Sequence, residues 1–250
     1  MKHLAYKPGN SLIHNIDPRG KVILFVLFVI SATFTNIENI LSVLLLVSGL
    51  LTIILATDIP ILHYLRRFLK FYLMIFVVTV FLPFLNESNN VILTIGGVNI
   101  YEEGVLEFLN LNIKLSLILF SSITLISTTT FPNIVSALEE IRLPKVVTSV
   151  IYLTNRFIEI LSVEAQRQYL AFQSRYIYLS PYSRLIILAK AMSMFFIRTI
   201  ERSDRIYLGM IARGFNGQIP KATKLAWDDK DTIAVTIGLV FLLFVWIANG

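Results

Sequence analysis

Residues 232–248 form an uncharged run of seventeen positions, and nothing else in the chain restricts its fold as severely. At 1.5 Å of helical rise per residue the run covers about 25 Å, close to the ~30 Å hydrocarbon core of a bilayer. Four other segments are strongly apolar, at about residues 21–35, 40–57, 71–85 and 111–131. The third is extended on its N-terminal side, from Pro60, by amphipathic turns carrying Arg66, Arg67 and Lys70. Backbone in lipid must satisfy its own N–H and C=O groups, so such segments are helices. The spacing therefore predicts an all-α membrane protein with about five transmembrane helices. Composition agrees: 56% of residues are hydrophobic and 15% charged, against about 45–50% and about 25% in soluble domains.

Lysine and arginine set the expected orientation, because positive loops stay in the cytoplasm. Lys2, Lys7, Arg19 and Lys21 precede the first span, and Arg66, Arg67 and Lys70 lie between the second and third. By contrast, residues 36–39 hold only Glu38, and residues 86–110 hold Glu87, Glu102, Glu103 and Glu107 with no basic residue. Residues 132–230 contain fourteen of the twenty-two basic residues against eight acidic ones. These loops predict a cytoplasmic N-terminus and an external C-terminus. The opening MKHLAYKPGN lacks the apolar region of a cleavable signal, so the spans are expected to drive insertion. The net charge of +6 fits an anionic leaflet rather than nucleic acid. With no cysteine, disulfides and thiolate chemistry are excluded. His3, His14 and His63 lack ligand spacing and read as interfacial residues, and no cofactor or metal site is expected.

Local signals refine the elements. Asp17-Pro18 supplies an N-cap and a preset first helical position. Residues 91–95, Gly96-Gly97 and 98–101 read as a short β-hairpin, after which the fourth helix starts near Glu102. The expected organisation is a transmembrane region of four spans at 1–131, a cytoplasmic region at 132–230 and a final span at 231–250.

The cytoplasmic stretch is too apolar for a soluble linker and too charged for spans. Residues 185–197 are strongly apolar, but Lys190 interrupts them, at a cost of about 2.5–3.5 kcal/mol at mid-membrane. One short and two long amphipathic helices follow from the pattern. The short one places Ile134, Leu138 and Ile141 on one face; the long ones cover Lys145 to Arg175 and residues 183–213. Arg156 with Glu159, and Glu164 with Arg167, stand at i,i+3 and mark a water-facing side.

An internal repeat closes both long helices. RQYLAFQSR, from Arg167 to Arg175, matches RIYLGMIAR, from Arg205 to Arg213. Ala171 corresponds to Gly209 and Ser174 to Ala212, so small residues three apart give each helix end a smooth patch beside an arginine. Gly214 follows the second copy as a stop signal. An arginine near a helix C-terminus is by itself a common stabilising feature, but two copies in matched nine-residue contexts suit two equivalent partner grooves.

These residues resemble the T component of energy-coupling factor (ECF) transporters, the EcfT/CbiQ family, over nearly the whole chain. Pro8-Gly9-Asn10-Ser11, His14 and Asp17-Pro18-Arg19 with Lys21 resemble its N-terminal signature. Ala137-Leu138, Pro144, Arg156 and Glu164-Ala165 resemble the run into its coupling helices. Ala212-Arg213-Gly214 matches the second of its Ala-Arg-Gly motifs, whereas Ser174-Arg175-Tyr176 departs from the first. The resemblance implies arginine-tipped coupling helices seated in two ABC ATPases, and a substrate-binding membrane subunit, the S component, that captures a vitamin or a transition metal ion. The absence of a G-x-x-x-x-G-K-[ST] loop agrees with a non-catalytic chain. Two competing classes are a metal-dependent lipid-phosphate transferase, suggested by Asp228-Asp229-Lys230-Asp231, and an independent channel or secondary transporter. The latter needs ionisable residues within spans, where only Lys114 lies.

Overall fold

A computed structural model of the chain describes residues 7–9, 11–35, 39–85, 91–95, 98–141, 143–175, 180–217 and 227–249. The chain divides into two compact units, residues 2–137 with 224–250, and residues 138–223.

The first unit opens with a helical turn, α1 (Leu12–Asn15), and then α2 (Pro18–Phe34). The side chain of Asp17 caps α2 by accepting the Arg19 N–H at 2.8 Å, and Pro18 occupies the first turn, as the dipeptide predicts. Next come α3 (Ile40–Leu55) and α4 (Ile61–Thr79). Their connection is anchored by Tyr64, only 1% exposed, whose hydroxyl meets Thr57 Oγ1 at 3.1 Å. The third span was expected from residue 71 to 85 in one piece. Instead α4 runs from Ile61 to Thr79 and a separate turn, α5 (Leu82–Leu85), follows. Pro83 explains the break, because it has no N–H to give the Thr79 carbonyl.

The expected hairpin is present as β1 (Val91–Ile95) and antiparallel β2 (Val98–Tyr101), with Ile95 opposite Val98 and an irregularity between Val91 and Leu93. Its Gly96-Gly97 turn, with Glu38, Glu87 and His3, lies outside the described residues. Then α6 (Glu102–Thr128) rises as a 27-residue helix, about 40 Å long. At its start a Cβ on Gly104 would stand 2.8 Å from the Leu82 carbonyl and Pro83 Cα, so only glycine lets α5 lie this close. α7 (Phe131–Glu140) follows, and within this unit it buries Val135, Ser136 and Ala137. That differs from the expected stripe: Ile134 and Leu138 are half-buried and Ile141 is exposed.

The last element in sequence, α10 (Asp229–Asn249), belongs to this unit and runs parallel to α2. At one end Asp17 N donates to Asp231 Oδ1 at 2.8 Å. At the other, Asn249 Nδ2 donates to Phe34 O at 3.1 Å, and Asn39 Nδ2 to Asn249 O at 2.8 Å. The first and last long helices of this unit therefore run in the same direction. Phe28, Leu46, Leu50, Tyr64, Leu117 and Val245 form a core where α2, α3, α4, α6 and α10 meet.

Ile61–Phe84, Glu102–Thr128 and Asp229–Asn249 are long and apolar enough to cross a membrane, and Ile40–Leu55 is a shorter apolar helix. Four to five apolar helices thus make this a multi-pass membrane protein, and α2, with 17 residues, packs along α10 beside them. Lys114, the one ionisable residue expected within a span, sends Nζ to Thr33 O at 2.9 Å, near the end of α2.

The second unit contains α8 (Lys145–Arg175) and α9 (Pro181–Ala212), which pack on each other. Length and composition alone would let residues 145–174 cross a membrane too. Yet Arg156, Glu159, Glu164 and Arg167 fall within three turns of that helix, at a cost in lipid of several kcal/mol, and it reads as the first long amphipathic helix.

Candidate functional site

The candidate surface is built from the C-terminal halves of α8 and α9. α9 begins with a serine cap, Ser180 Oγ accepting the Ser183 N–H at 3.3 Å with Pro181 in the first turn. It stops in a Schellman motif. Phe215 N donates to Met210 O at 3.0 Å, Gly214 N to Ile211 O at 2.9 Å, and Gly214 holds φ at +80°. Nothing lies within 4 Å of a Cβ built on Gly214, so the residue is required by its backbone angle and not by space. Arg213 is therefore the C-cap of a fixed helix end, and it is exposed with no ion pair among the described residues.

The repeat survives in three dimensions as matched exposure. Tyr169 and Tyr207 are each 55% exposed, and Leu170 and Leu208 are 57% and 64% exposed. Ala171 and Gly209 are both exposed, and a Cβ on Gly209 would meet nothing. Ser174 and Ala212 are exposed as well, and the Ser174 hydroxyl is spent on the Ala171 carbonyl at 2.9 Å. Serine thus presents the same smooth surface as the alanine it replaces in the repeat. Arg167 and Arg205 are exposed on the same helices. Arg175 is the last residue of α8; its side chain and all of Tyr176 lie outside the described residues.

Among the described residues, two ion pairs lie on these helices, one within α8 and one between α8 and α9. Arg156 meets Glu159 at 3.9 Å, as their spacing predicts. Glu164 was expected to pair with Arg167 and instead reaches Arg198 on α9 at 4.0 Å. An i,i+3 spacing cannot reveal a competing cation on a neighbouring helix. This second pair fixes where the helices meet. From there α8 continues eleven residues to Arg175 and α9 fifteen residues to Arg213, arms of about 16 and 22 Å. Pro181 is seventeen residues before Arg198 and six after Arg175. Those separations correspond to about 25 Å of helix and at most about 21 Å of extended chain. The short connection keeps the start of α9 near the end of α8, so beyond the ion pair the arginine-bearing arms point away from each other. Their ends stand on the order of 30 Å apart.

α9 has no buried residue over its 32 positions. Leu185, Met192, Phe196 and Ile200 are each 59–67% exposed. So much uncovered apolar surface on a long helix is the kind that meets lipid or another protein.

In sequence Asp228-Asp229-Lys230-Asp231 reads as a helix start or a metal-like cluster. The structure gives Asp231 a definite role. Its Oδ2 accepts the Asp228 N–H at 2.9 Å while its Oδ1 accepts the Asp17 N–H, so one buried carboxylate caps α10 and pins it to α2. The three-residue interval is that of a capping box, a signal present in the sequence. His14 is likewise internal to the fold. Its Nε2 donates to Lys7 O at 3.0 Å and its Nδ1 meets Ser11 Oγ at 2.6 Å, while Lys21 Nζ donates to His14 O at 3.1 Å.

The family CbiQ, described as cobalt transport protein, matches residues 9–225. The energy-coupling factor transporter transmembrane protein EcfT of Streptococcus equi subsp. equi is 25% identical over 96% of this chain and 94% of its own length. The protein of the same name from Bacillus selenitireducens is 29% identical over 94% and 92%, and that from Bacillus subtilis 28% over 95% and 93%.

Proposed function

The chain belongs to the CbiQ family of cobalt transport proteins, and from that premise we propose that it is the transmembrane coupling subunit of an ECF-type ABC importer. It has no catalytic role of its own. Two cytoplasmic ABC ATPases, identical or different, hydrolyse ATP and move, and a membrane-embedded S component carries the vitamin or transition metal ion. The chain joins them. Residues 1–131 and 231–250 form the scaffold in the bilayer, and residues 132–230 form the coupling region in the cytoplasm. The N-terminus is cytoplasmic and the C-terminus external, in keeping with the basic loops and with the parallel α2 and α10.

The carrying observation is α9, a 32-residue helix with no buried residue, ending in a rigid exposed arginine. Ser174-Arg175 on α8 and Ala212-Arg213-Gly214 on α9 each seat in one ATPase. A separation on the order of 30 Å suits two grooves on two subunits better than one shared groove. Each guanidinium grips carboxylate or helix-end carbonyl oxygens through paired bonds that fix direction as well as distance. Motion of the ATPases turns the helices about their contact, and the uncovered apolar face of α9 passes that motion to the S component within the lipid.

Truncating a desolvated, paired arginine costs about 2–5 kcal/mol of binding, at least about thirtyfold in affinity. The test is Arg213→Glu in the intact transporter. Membrane insertion is expected to be normal, with loss of copurifying ATPases and of uptake. Copurification at normal yield together with normal uptake would overturn the assignment.

A further inference from the structure

The first three turns of α4, the amphipathic extension of the third span, set cations among leucines. Successive residues are about 100° apart around a helix. With Leu62 at zero, Leu69, Leu73, Arg66 and Lys70 fall within an arc of about 100°, and Tyr64 lies on the opposite side. Tyr64 is 1% exposed, whereas Leu62, Leu69 and Leu73 are 63–68% exposed. Arg66 and Lys70 are exposed too, so both cations sit on the outward meridian among leucines.

More positive charge gathers beside them. Arg67 Nη1 donates to Ser127 Oγ at 3.3 Å and Lys7 N donates to Ser127 O at 3.0 Å, so the N-terminal segment and α4 meet at the end of α6. Lys7, Arg66 and Lys70 make no ion pair among the described residues, and neither does Asp58, the acidic residue nearest to α4 in sequence. Hydrocarbon tails offer these donors no acceptor. A phosphodiester does, and the leucines alongside offer its tail an apolar bed.

We propose that this corner binds one anionic phospholipid, its phosphate held by Arg66, Lys70 and Lys7 and an acyl chain laid along Leu62, Leu69 and Leu73. The arginine supplies a planar fork that matches phosphate oxygens, and the lysines add compact charge. Each basic residue near an anionic lipid surface strengthens association about fivefold. The site does not depend on the ATPase reading, because none of its residues belongs to the coupling helices.

The experiment follows thermal unfolding of the purified full chain in neutral detergent. It is titrated separately with dioleoyl phosphatidylglycerol, dioleoyl phosphatidylcholine and inorganic phosphate. Phosphatidylglycerol alone is expected to raise the melting temperature. In Arg66→Gln/Lys70→Gln the half-saturating concentration should rise about 25-fold, while Lys190→Gln/Arg202→Gln, the same charge change on α9, should leave it unaltered. Equal stabilisation by phosphatidylcholine would mean an apolar surface only, and stabilisation by phosphate alone a soluble-anion site; either overturns the proposal. So does no response to any of the three, as when a protein partner owns the corner, or an equal loss in the control pair. If the α4 variant fails to fold, the wild-type titration still decides: binding must weaken as sodium chloride rises, and salt-independent binding refutes it.

Discussion

Replacing Asp231 with alanine removes the acceptor of two backbone donors at once. Asp231 is 4% exposed, and its oxygens take the N–H of Asp17 at 2.8 Å and of Asp228 at 2.9 Å. A buried donor left without a partner costs about 1–3 kcal/mol. The Asp17 bond is fully buried and belongs near the upper end, while the Asp228 bond is part-buried, where water can substitute, and belongs near the lower. Relief of the carboxylate's own desolvation offsets part of the sum, leaving a loss of about 2–4 kcal/mol. For a chain of this size that corresponds to roughly 5–12 °C in melting temperature, read by intrinsic tryptophan fluorescence in detergent. Asp231→Asn keeps one acceptor oxygen and should fall between wild type and alanine. An alanine variant melting within about 2 °C of wild type would refute the reasoning. The same assay separates the cap from a metal site, since a carboxylate engaged by two N–H groups predicts no stabilisation of wild type by magnesium.

Three further outcomes follow from the geometry. Gly214→Ala forces a Cβ into φ +80° without any steric contact, so it should loosen the α9 end by about 1 kcal/mol. Measured ATPase affinity should then fall severalfold, far less than for Arg213→Glu. Gly104→Ala drives a Cβ to 2.8 Å from backbone atoms of Leu82 and Pro83, which cannot move as a flexible side chain would. A loss of about 1–3 kcal/mol in the thermal melt is expected. The Glu164–Arg198 pair spans 4.0 Å with side chains 31% and 58% exposed, so a double-mutant cycle with alanine should give a coupling below about 1 kcal/mol.

Much of this architecture was legible because its causes are local or compositional. Asp17-Pro18 caps α2 wherever the helix goes, and the arginine and glutamate distribution follows the membrane and not the fold. The Schellman stop at Gly214 was also readable, since the positive φ needs little more than glycine there. What escaped was pairing between distant segments. Glu164 has a good local partner on paper in Arg167, and only the approach of α9 offers Arg198 in its place. The break at Thr79 was signalled by Pro83, but in a uniformly apolar run hydropathy carries no mark of helix continuity.

The sequence by itself determined a five-span helical membrane protein, two long charged helices, and repeated arginine ends. Each of these follows from transfer free energy, helical period or cap chemistry, which act within a few residues. Tertiary structure alone decided that α10 lies parallel on α2 through Asp231 and Asn249, that Arg66 and Lys70 face outward among leucines, and that the tips of α8 and α9 diverge. These are matters of which surfaces meet. A hydrogen bond between residues 17 and 231 has no local precursor in the chain; it exists because packing delivers both partners to one buried point.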